Sequence, residues 1–439
     1  MDKKALKVAL AFVGLAVGAG FASGREVIQY FVGFGIPGLW GAALACVIFA
    51  FTGLVIVQLG SYFLANDHNA VFSGVARPLT SKIFDVLITF ILFSIGFVMI
   101  AGGGANLNQQ FGLDKWIGAV IITALVIGIG MLDVSRVTAV IGALTPVMIV
   151  FVLIAIVYSL THAQGSFAEL DSTAKAVGST LPHWTISAAN YVAMALGMAV
   201  SMSIVMGGDI ADPQVAGRGG FGGGLLFGLL LFLTATALFL QIPLVQGYDM
   251  PLLSLVGQIH PWLGTIMAIV IFAMIFNTAI GMYYALASRF SGGDTKRFRI
   301  ILISLALIGF GLSFFGFTTL VGYLYPIIGY VGIVLIGVLI FSWVRTTSQI
   351  KDEVERRKRI RDLLALRLRS DKKFTRKHHR HLEKELEESP VENYELEETL
   401  ADDVTTELED QGVDYDADLD PISPQPDDSE ESTEAAGLA

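Results

Sequence analysis

About ten apolar runs, each long enough to cross a bilayer, dominate this sequence of 439 residues. A run of about 18 or more apolar residues reads as a membrane span, because a helix rising about 1.5 Å per residue needs that length to traverse the hydrocarbon core. Composition agrees: 54% of the residues are hydrophobic, 15% are charged, and the mean hydropathy is +0.66. A soluble domain of this size needs a charged, mixed surface that such a chain cannot supply. The chain therefore reads as an all-α polytopic membrane protein, and a soluble enzyme is excluded.

The spans are read at roughly residues 5–33, 38–64, 83–110, 115–132, 138–161, 184–208, 219–243, 262–289, 298–315 and 318–343. With the N-terminus in the cytoplasm, the inner loops hold Lys3, Lys4, Lys7, Arg77, Lys82, Arg136, Arg218, Arg289, Lys296, Arg297 and Arg299, and the outer loops hold only Lys115 and Lys175. The excess of cations on cytoplasmic loops then places both termini inside. The basic start followed by apolar and small residues also has the form of a signal peptide. The stretch runs on through Arg25 and Glu26 into further apolar sequence, and it is read as the first span. Cys46, the lone cysteine, allows no intrachain disulfide and no thiolate metal site.

Corresponding spans recur at a nearly constant offset. Centres near residues 18, 50, 97, 123 and 150 have counterparts about 180 residues later, and the third and eighth spans share an unusual length. Five spans per copy is an odd number, so the second copy (about 184–343) must enter the membrane from the side opposite to the first (about 5–161). Inverted repeats of this kind mark transporters, whose substrate and ions bind near the midplane at interrupted helices. Similar helices joined by short loops would give some regularity as well.

The densest local signal is Val17-Gly18-Ala19-Gly20-Phe21-Ala22-Ser23-Gly24-Arg25-Glu26. Glycine weakens a helix interior, since it leaves the backbone unrestricted. Three glycines in so short a stretch predict a helix that stops and restarts. Carbonyls freed at the end of its first half can hold a cation, and amides freed at the start of its second half suit a carboxylate. The competing reading is a row of small residues for close helix packing. Arg25 and Glu26 favour the break, because ionisable groups within a span face a cavity or a partner unless they reach an interface. Adjacent helical positions do not pair with one another, so each needs its own partner.

The sixth span is the expected counterpart, with Asn190-Tyr191, Gly197, Ala199, Ser201 and Ser203 leading to Gly207-Gly208-Asp209. An interruption is expected around Gly197, with Asp209 as a cap at the inner end. In the eighth span, Asn277-Thr278 breaks an apolar stretch. Neighbouring amide and hydroxyl oxygens there can ligate Na⁺, by the oxygen preference of hard cations, or can bond back to helix carbonyls. Gly102-Gly103-Gly104 in the third span reads as a packing surface. The run Gly219, Gly220, Gly222, Gly223 and Gly224 lacks the Lys-Ser/Thr of a phosphate loop and reads the same way.

The segment Gly18 to Glu26, the glycine-rich turn after it and Asn277-Thr278 resemble the YkvI-type bacterial membrane proteins. That family is similar in turn to the amino acid–polyamine–organocation superfamily, which has the leucine-transporter fold. The resemblance covers roughly residues 5–343. It implies a five-plus-five inverted repeat, a multi-pass place in the bacterial plasma membrane, and secondary transport of a small organic solute. It also implies a substrate site at Gly18, Ala19, Gly20 and Ser23 against Gly197 and Ser201. Where coupling is to Na⁺, it implies a site from the carbonyls of Gly14 and Val17 with Asn277 and Thr278; no other cofactor is implied. Arg25 lies where some members place an outer-gate arginine, but residues 318–343 contain no acidic partner.

The chain's charge is segregated. Residues 1–344 carry a net +2, residues 345–381 a net +9, and residues 382–439 a net −21. Residues 345–388 are expected to be a basic, helical juxtamembrane segment attractive to anionic lipid. Residues 389–439 are acidic and are expected to be disordered, with the option of folding back onto the basic helix. His378-His379-Arg380-His381 is read as part of that surface. The spans hold no metal-ligand cluster and no nucleotide site, and nothing points to nucleic acid. Two functions are expected from different classes: a transporter coupled to Na⁺ or to H⁺ through Glu26, or a sensor that keeps the transporter fold and binds a small ligand without net transport.

Overall fold

The computed structural model describes residues 3–66, 78–131, 144–163, 165–369, 371–415 and 421–423. Arg77 and Arg136, used above for orientation, and residues 416–420 and 424–439 of the acidic tail lie outside them. Among the described residues the regular structure is helical, apart from an isolated bridge between Arg369 and Tyr415.

The first expected span is three pieces: α1 (Lys3–Ala16), α2 (Ala19–Ser23) and α3 (Arg25–Tyr30). Spans two to five are α4 (Ile36–Tyr62), α5 (Pro78–Phe111), α6 (Lys115–Gly130) and α7 (Thr145–Thr161). A connecting helix, α8 (Phe167–Val177), leads to α9 (Trp184–Gly208) and α10 (Pro213–Leu240), the sixth and seventh spans. Two short helices, α11 (Ile242–Val245) and α12 (Pro251–Ile259), precede α13 (Pro261–Ser291), α14 (Thr295–Ser313) and α15 (Phe317–Leu368). The tail adds α16 (Arg376–Glu387) and α17 (Asn393–Gln411). Six described helices, α4, α5, α9, α10, α13 and α15, are long and apolar enough to cross a membrane, and α6 and α7 are shorter apolar helices.

Local chemistry sets the starts. Asp212 and Asp294 accept backbone amides at the openings of α10 and α14, and Pro213, Pro251 and Pro261 stand in first turns where no amide partner is lost.

Packing follows the repeat. The first span lies on the seventh as the sixth lies on the second; the third lies on the fourth as the eighth lies on the ninth; the third meets the tenth as the eighth meets the fifth. The two copies are joined where α4 lies along α10. The glycine run of α10 makes that approach possible: a Cβ on Gly220, Gly224 or Gly228 would collide with Gly53, Phe49 or Cys46 of α4, and one on Gly219 or Gly223 with α1. Gly102, Gly103 and Gly104 likewise face Phe317, Ile122 and the Lys115 carbonyl. Both runs serve close packing.

The tail departs from the expectation of disorder over residues 393–411. Leu396, Leu400, Val404 and Leu408 recur every fourth residue and are buried against Ile360, Leu364 and Leu368 of the extended α15. That stripe is enough to order a helix whose other faces are acidic.

Candidate functional site

The first span breaks where the glycines stand. The Gly18 amide turns back to the Ala16 carbonyl (2.9 Å) and not to that of Gly14, so the Gly14 carbonyl loses its helical donor. Gly18 is extended, at φ −90° and ψ 174°, and α2 restarts with the Ala22 amide on the Gly18 carbonyl. A Cβ at Gly14 or Gly18 would meet open space. The restart lasts five residues, too short to carry much of a helix dipole.

A second interruption follows at Gly24, with φ +77°. Ser23 shapes it: its buried hydroxyl donates to the Gly20 carbonyl (2.6 Å) and accepts from the Arg25 amide (3.0 Å). Ser23, expected to meet substrate, is occupied by this turn. The kink sends Arg25 and Glu26 apart. Glu26 folds back across Gly20, its carboxyl standing where a side chain on Gly20 would go, and is 4% exposed. Tyr191 of the sixth span, Tyr30 and Tyr325 lie close by and interact with it electrostatically.

A polar chain ties α3 to the sixth and tenth spans. The Tyr30 hydroxyl donates to Asn190 Oδ1 (3.2 Å), and Asn190 Nδ2 donates to the Pro326 carbonyl (3.0 Å). Pro326 has no amide to offer Gly322, four residues earlier, and Thr180 Oγ1 supplies that carbonyl with a donor at 2.5 Å. Gln29 Nε2 in turn donates to Thr180 (2.9 Å). Thr180 and Pro326 were not legible as site residues, although a proline inside an apolar span is the signal that could have raised them.

Two solved structures share the fold. Mhp1 in its inward-facing conformation matches with a TM-score of 0.51 at 14% identity, covering 77% of this chain and 76% of that one. MhsT in complex with L-phenylalanine matches with a TM-score of 0.53 at 16% identity, covering 91% and 97%. In sequence, the membrane protein YkvI of Bacillus subtilis (strain 168) is 26% identical over 337 residues, 76% of this chain and 95% of the relative. YyaD of the same organism is 27% identical over 337 residues, 76% and 96%. No family model matches the chain. The homologues are YkvI-type membrane proteins, and the fold is that of the leucine transporters. The chain is thus a multi-pass membrane protein, and its structural neighbours are transporters, not enzymes. The remaining quarter of the chain, a share close to that of the tail, has no counterpart in the two relatives.

The expected break in the sixth span is absent, since α9 is continuous from Trp184 to Gly208. One glycine weakens a helix by only about 1 kcal/mol and does not by itself open it; a Cβ at Gly197 would make ordinary contact, 3.7 Å, with the Gly332 Cα of the tenth span. Ser201 lies within the unbroken helix, and Asp209 is its C-terminal cap residue. In the eighth span the Thr278 hydroxyl donates back to the Met274 carbonyl (3.0 Å), while Asn277 Oδ1 is buried without a partner. The span packs on α2.

Arg25 finds an acidic partner outside the tenth span. Asp249, between α11 and α12, interacts electrostatically with it, accepts from Lys115 Nζ (2.5 Å) and from the Thr318 hydroxyl (2.6 Å), and so joins four segments at the face opposite the termini. Burial works to raise the Asp249 carboxyl, but Lys115, Thr318 and Arg25 outweigh it and hold it below the usual carboxylate range.

Proposed function

We infer that the chain is a secondary active transporter of a small organic solute, an amino acid or related compound, working by alternating access with both termini in the cytoplasm. The observation that carries the reading is the buried Glu26 carboxyl folded into a broken first span, beside Tyr191 of the sixth. Interrupted backbone is tolerated at membrane depth where it lines protein or a cavity, and a buried carboxyl costs several kcal/mol unless it has a task or a partner. Ala19 and Gly20 bound the solute site from the first span, with the open space at Gly18 next to them. The amino acid class draws support from MhsT, which was solved with L-phenylalanine.

Coupling runs to H⁺ through Glu26, with Na⁺ as the alternative. Glu26 can take a proton on one side and release it on the other as the two repeats move. The sodium alternative at Gly14, Val17, Asn277 and Thr278 would use the freed Gly14 carbonyl, Asn277 Oδ1 and the Thr278 oxygen, whose proton goes to Met274 and whose lone pairs stay free to ligate. Anionic lipid at the basic segment competes with the chain's own carboxylates, since Arg359, Arg361 and Arg367 pair with Glu385, Glu407 and Glu397.

The test is a thermal-shift screen of the purified protein against amino acids and organic cations, with Na⁺ or K⁺ and at two pH values, followed by uptake into proteoliposomes. A ligand present at about a hundred times its Kd stabilises by about 2.7 kcal/mol. Stabilisation that depends on pH and disappears in Glu26→Gln, with uptake driven by a proton gradient, is the expected result. The sensor reading, favoured by the folded and docked tail, predicts binding with no uptake, and that outcome overturns transport.

A further inference from the structure

Beyond the transport path, the tail is built into the membrane domain at three places. Arg357, 2% exposed, donates to the Ser61 (2.9 Å) and Tyr62 (2.8 Å) carbonyls at the end of α4 and to the Ala211 carbonyl (3.0 Å) in the turn before α10. The last carbonyls of a helix have no internal donors and sit at its negative end, so one guanidinium caps the second span and ties it to the start of the seventh. Buried Glu353 holds Arg357 in place through Nε (2.8 Å) and also accepts from Arg356 and Ser389. Burial works to lower the Arg357 guanidinium, and Glu353 opposes it.

The second place is apolar. Leu64, after α4, and Ala211 belong to the same buried cluster as Leu396, Leu400, Val404 and Leu408 of α17. The third is polar: Lys4 Nζ, in the first turn of α1, meets Asp403 Oδ1 at 2.7 Å, and Asn66 Nδ2 donates to Glu395 at 2.7 Å. Helix α17 thereby forms one wall of an open cleft of about 430 Å³ at the end of the sixth span, lined by Leu64, Gly208, Asp209, Glu395, Thr399 and Asp403.

One of these contacts, Lys4 with Asp403, reaches the first span. Helix α1 is joined to the rest of the first span only through the extended Val17–Gly18 link, with open space around Gly14 and Gly18. It can turn about that link only by sliding on α10, against which Gly219 and Gly223 hold it closely. The geometry points to α17 as a latch: it pairs with the start of α1 through Asp403 and flanks the end of the sixth span, so movement of α1 on the face carrying both termini is restrained until α17 leaves. The inference rests on the transport reading for what the path conducts, and on the contacts alone for the clamp.

Hydrogen exchange of the full-length protein in nanodiscs tests the clamp without a known solute. Leu400→Asp detaches α17 and is expected to raise exchange in α17 and, about fivefold or more, in α1, because local opening sets exchange rates. Exchange in α5 and α13 stays unchanged, which separates release from misfolding. Lys4→Asp is expected to raise α1 exchange about two- to fivefold, the range of an exposed ion pair, and Lys4→Asp with Asp403→Lys returns it to the parent rate. Freed α17 with α1 exchange unchanged overturns the latch. With a transported solute in hand, Leu400→Asp raises initial uptake; raised α1 exchange with unaltered uptake also overturns it. Raised α1 exchange with no uptake in parent or variant retains the clamp and removes the transport reading instead.

Discussion

The Glu26 carboxyl occupies the place that a side chain on Gly20 would fill. The two residues lie six positions apart on a span that breaks before one and kinks before the other, and only a glycine at 20 lets the carboxyl fold into the gap. Glu26 is therefore held by shape, with Tyr191 close by.

Gly20→Ala is expected to push the carboxyl out of that position. Overpacking a buried site costs about 1–3 kcal/mol. In a Glu26→Ala background the added methyl meets empty space, and the penalty should fall toward zero, giving a coupling energy of similar size. Melting temperatures of the four proteins measure the cycle. Equal penalties in both backgrounds would show that the two side chains do not share this space.

Arg357→Ala should be among the most destabilising single changes in the tail. It leaves the Tyr62 and Ala211 carbonyls without their donor and the Ser61 carbonyl with the Leu64 amide, while Glu353 keeps Arg356 and Ser389; each buried polar group left unpaired costs about 1–3 kcal/mol. Arg357→Lys should recover only part of the loss, because an ammonium cannot span the geometry of a planar fork. Thermal unfolding followed separately in the tail and the spans checks both variants. A lysine variant as stable as the parent would deny the multi-carbonyl cap.

Asp249 gives a pH-dependent contribution whose sign is fixed by its partners. Its carboxyl is held below the ordinary range in the folded state by Lys115, Thr318 and Arg25 against the effect of burial. The stability this supplies is complete above the unfolded value, near pH 4, and is lost as the pH falls through the lower folded value. Asp249→Asn should thus melt below the parent at neutral pH, and the difference should close under acid. A gap that stays constant from neutral to acid pH would mean the carboxylate charge plays no part.

What the sequence revealed and hid follows from how each feature is made. The break in the first span was legible because Gly18, Gly20 and Gly24 stand together beside two ionisable residues, an arrangement with few uses in a span. The continuity of the sixth span was not, since Gly197 stands without a second glycine beside it, and a lone glycine weakens a helix by only about 1 kcal/mol. Asp249 gained no place in the sequence reading, because only the fold brings Lys115, Thr318 and Arg25 to it. The tail helix was hidden by composition: four apolar residues in a helical stripe carry its packing, and the surrounding acids dominate any average.

Thr278 and Glu26 separate the two modes of coupling. The Thr278 hydroxyl donates to Met274 within its own helix, so Thr278→Val removes a local bond of the kind that neither builds nor breaks a helix. Its expected cost is about 1 kcal/mol or less, with ligand-induced stabilisation retained in Na⁺ and in K⁺ alike. Glu26→Gln keeps the shape beside Gly20 and Tyr191 but has no proton to exchange, so the pH dependence of ligand stabilisation should disappear while the fold survives. Thermal shifts of both variants, each with and without solute at two pH values, decide the matter. If Thr278→Val abolishes a sodium-dependent shift while Glu26→Gln responds like the parent, coupling belongs to Na⁺, and the Gly14 carbonyl with Asn277 Oδ1 becomes the site to probe next.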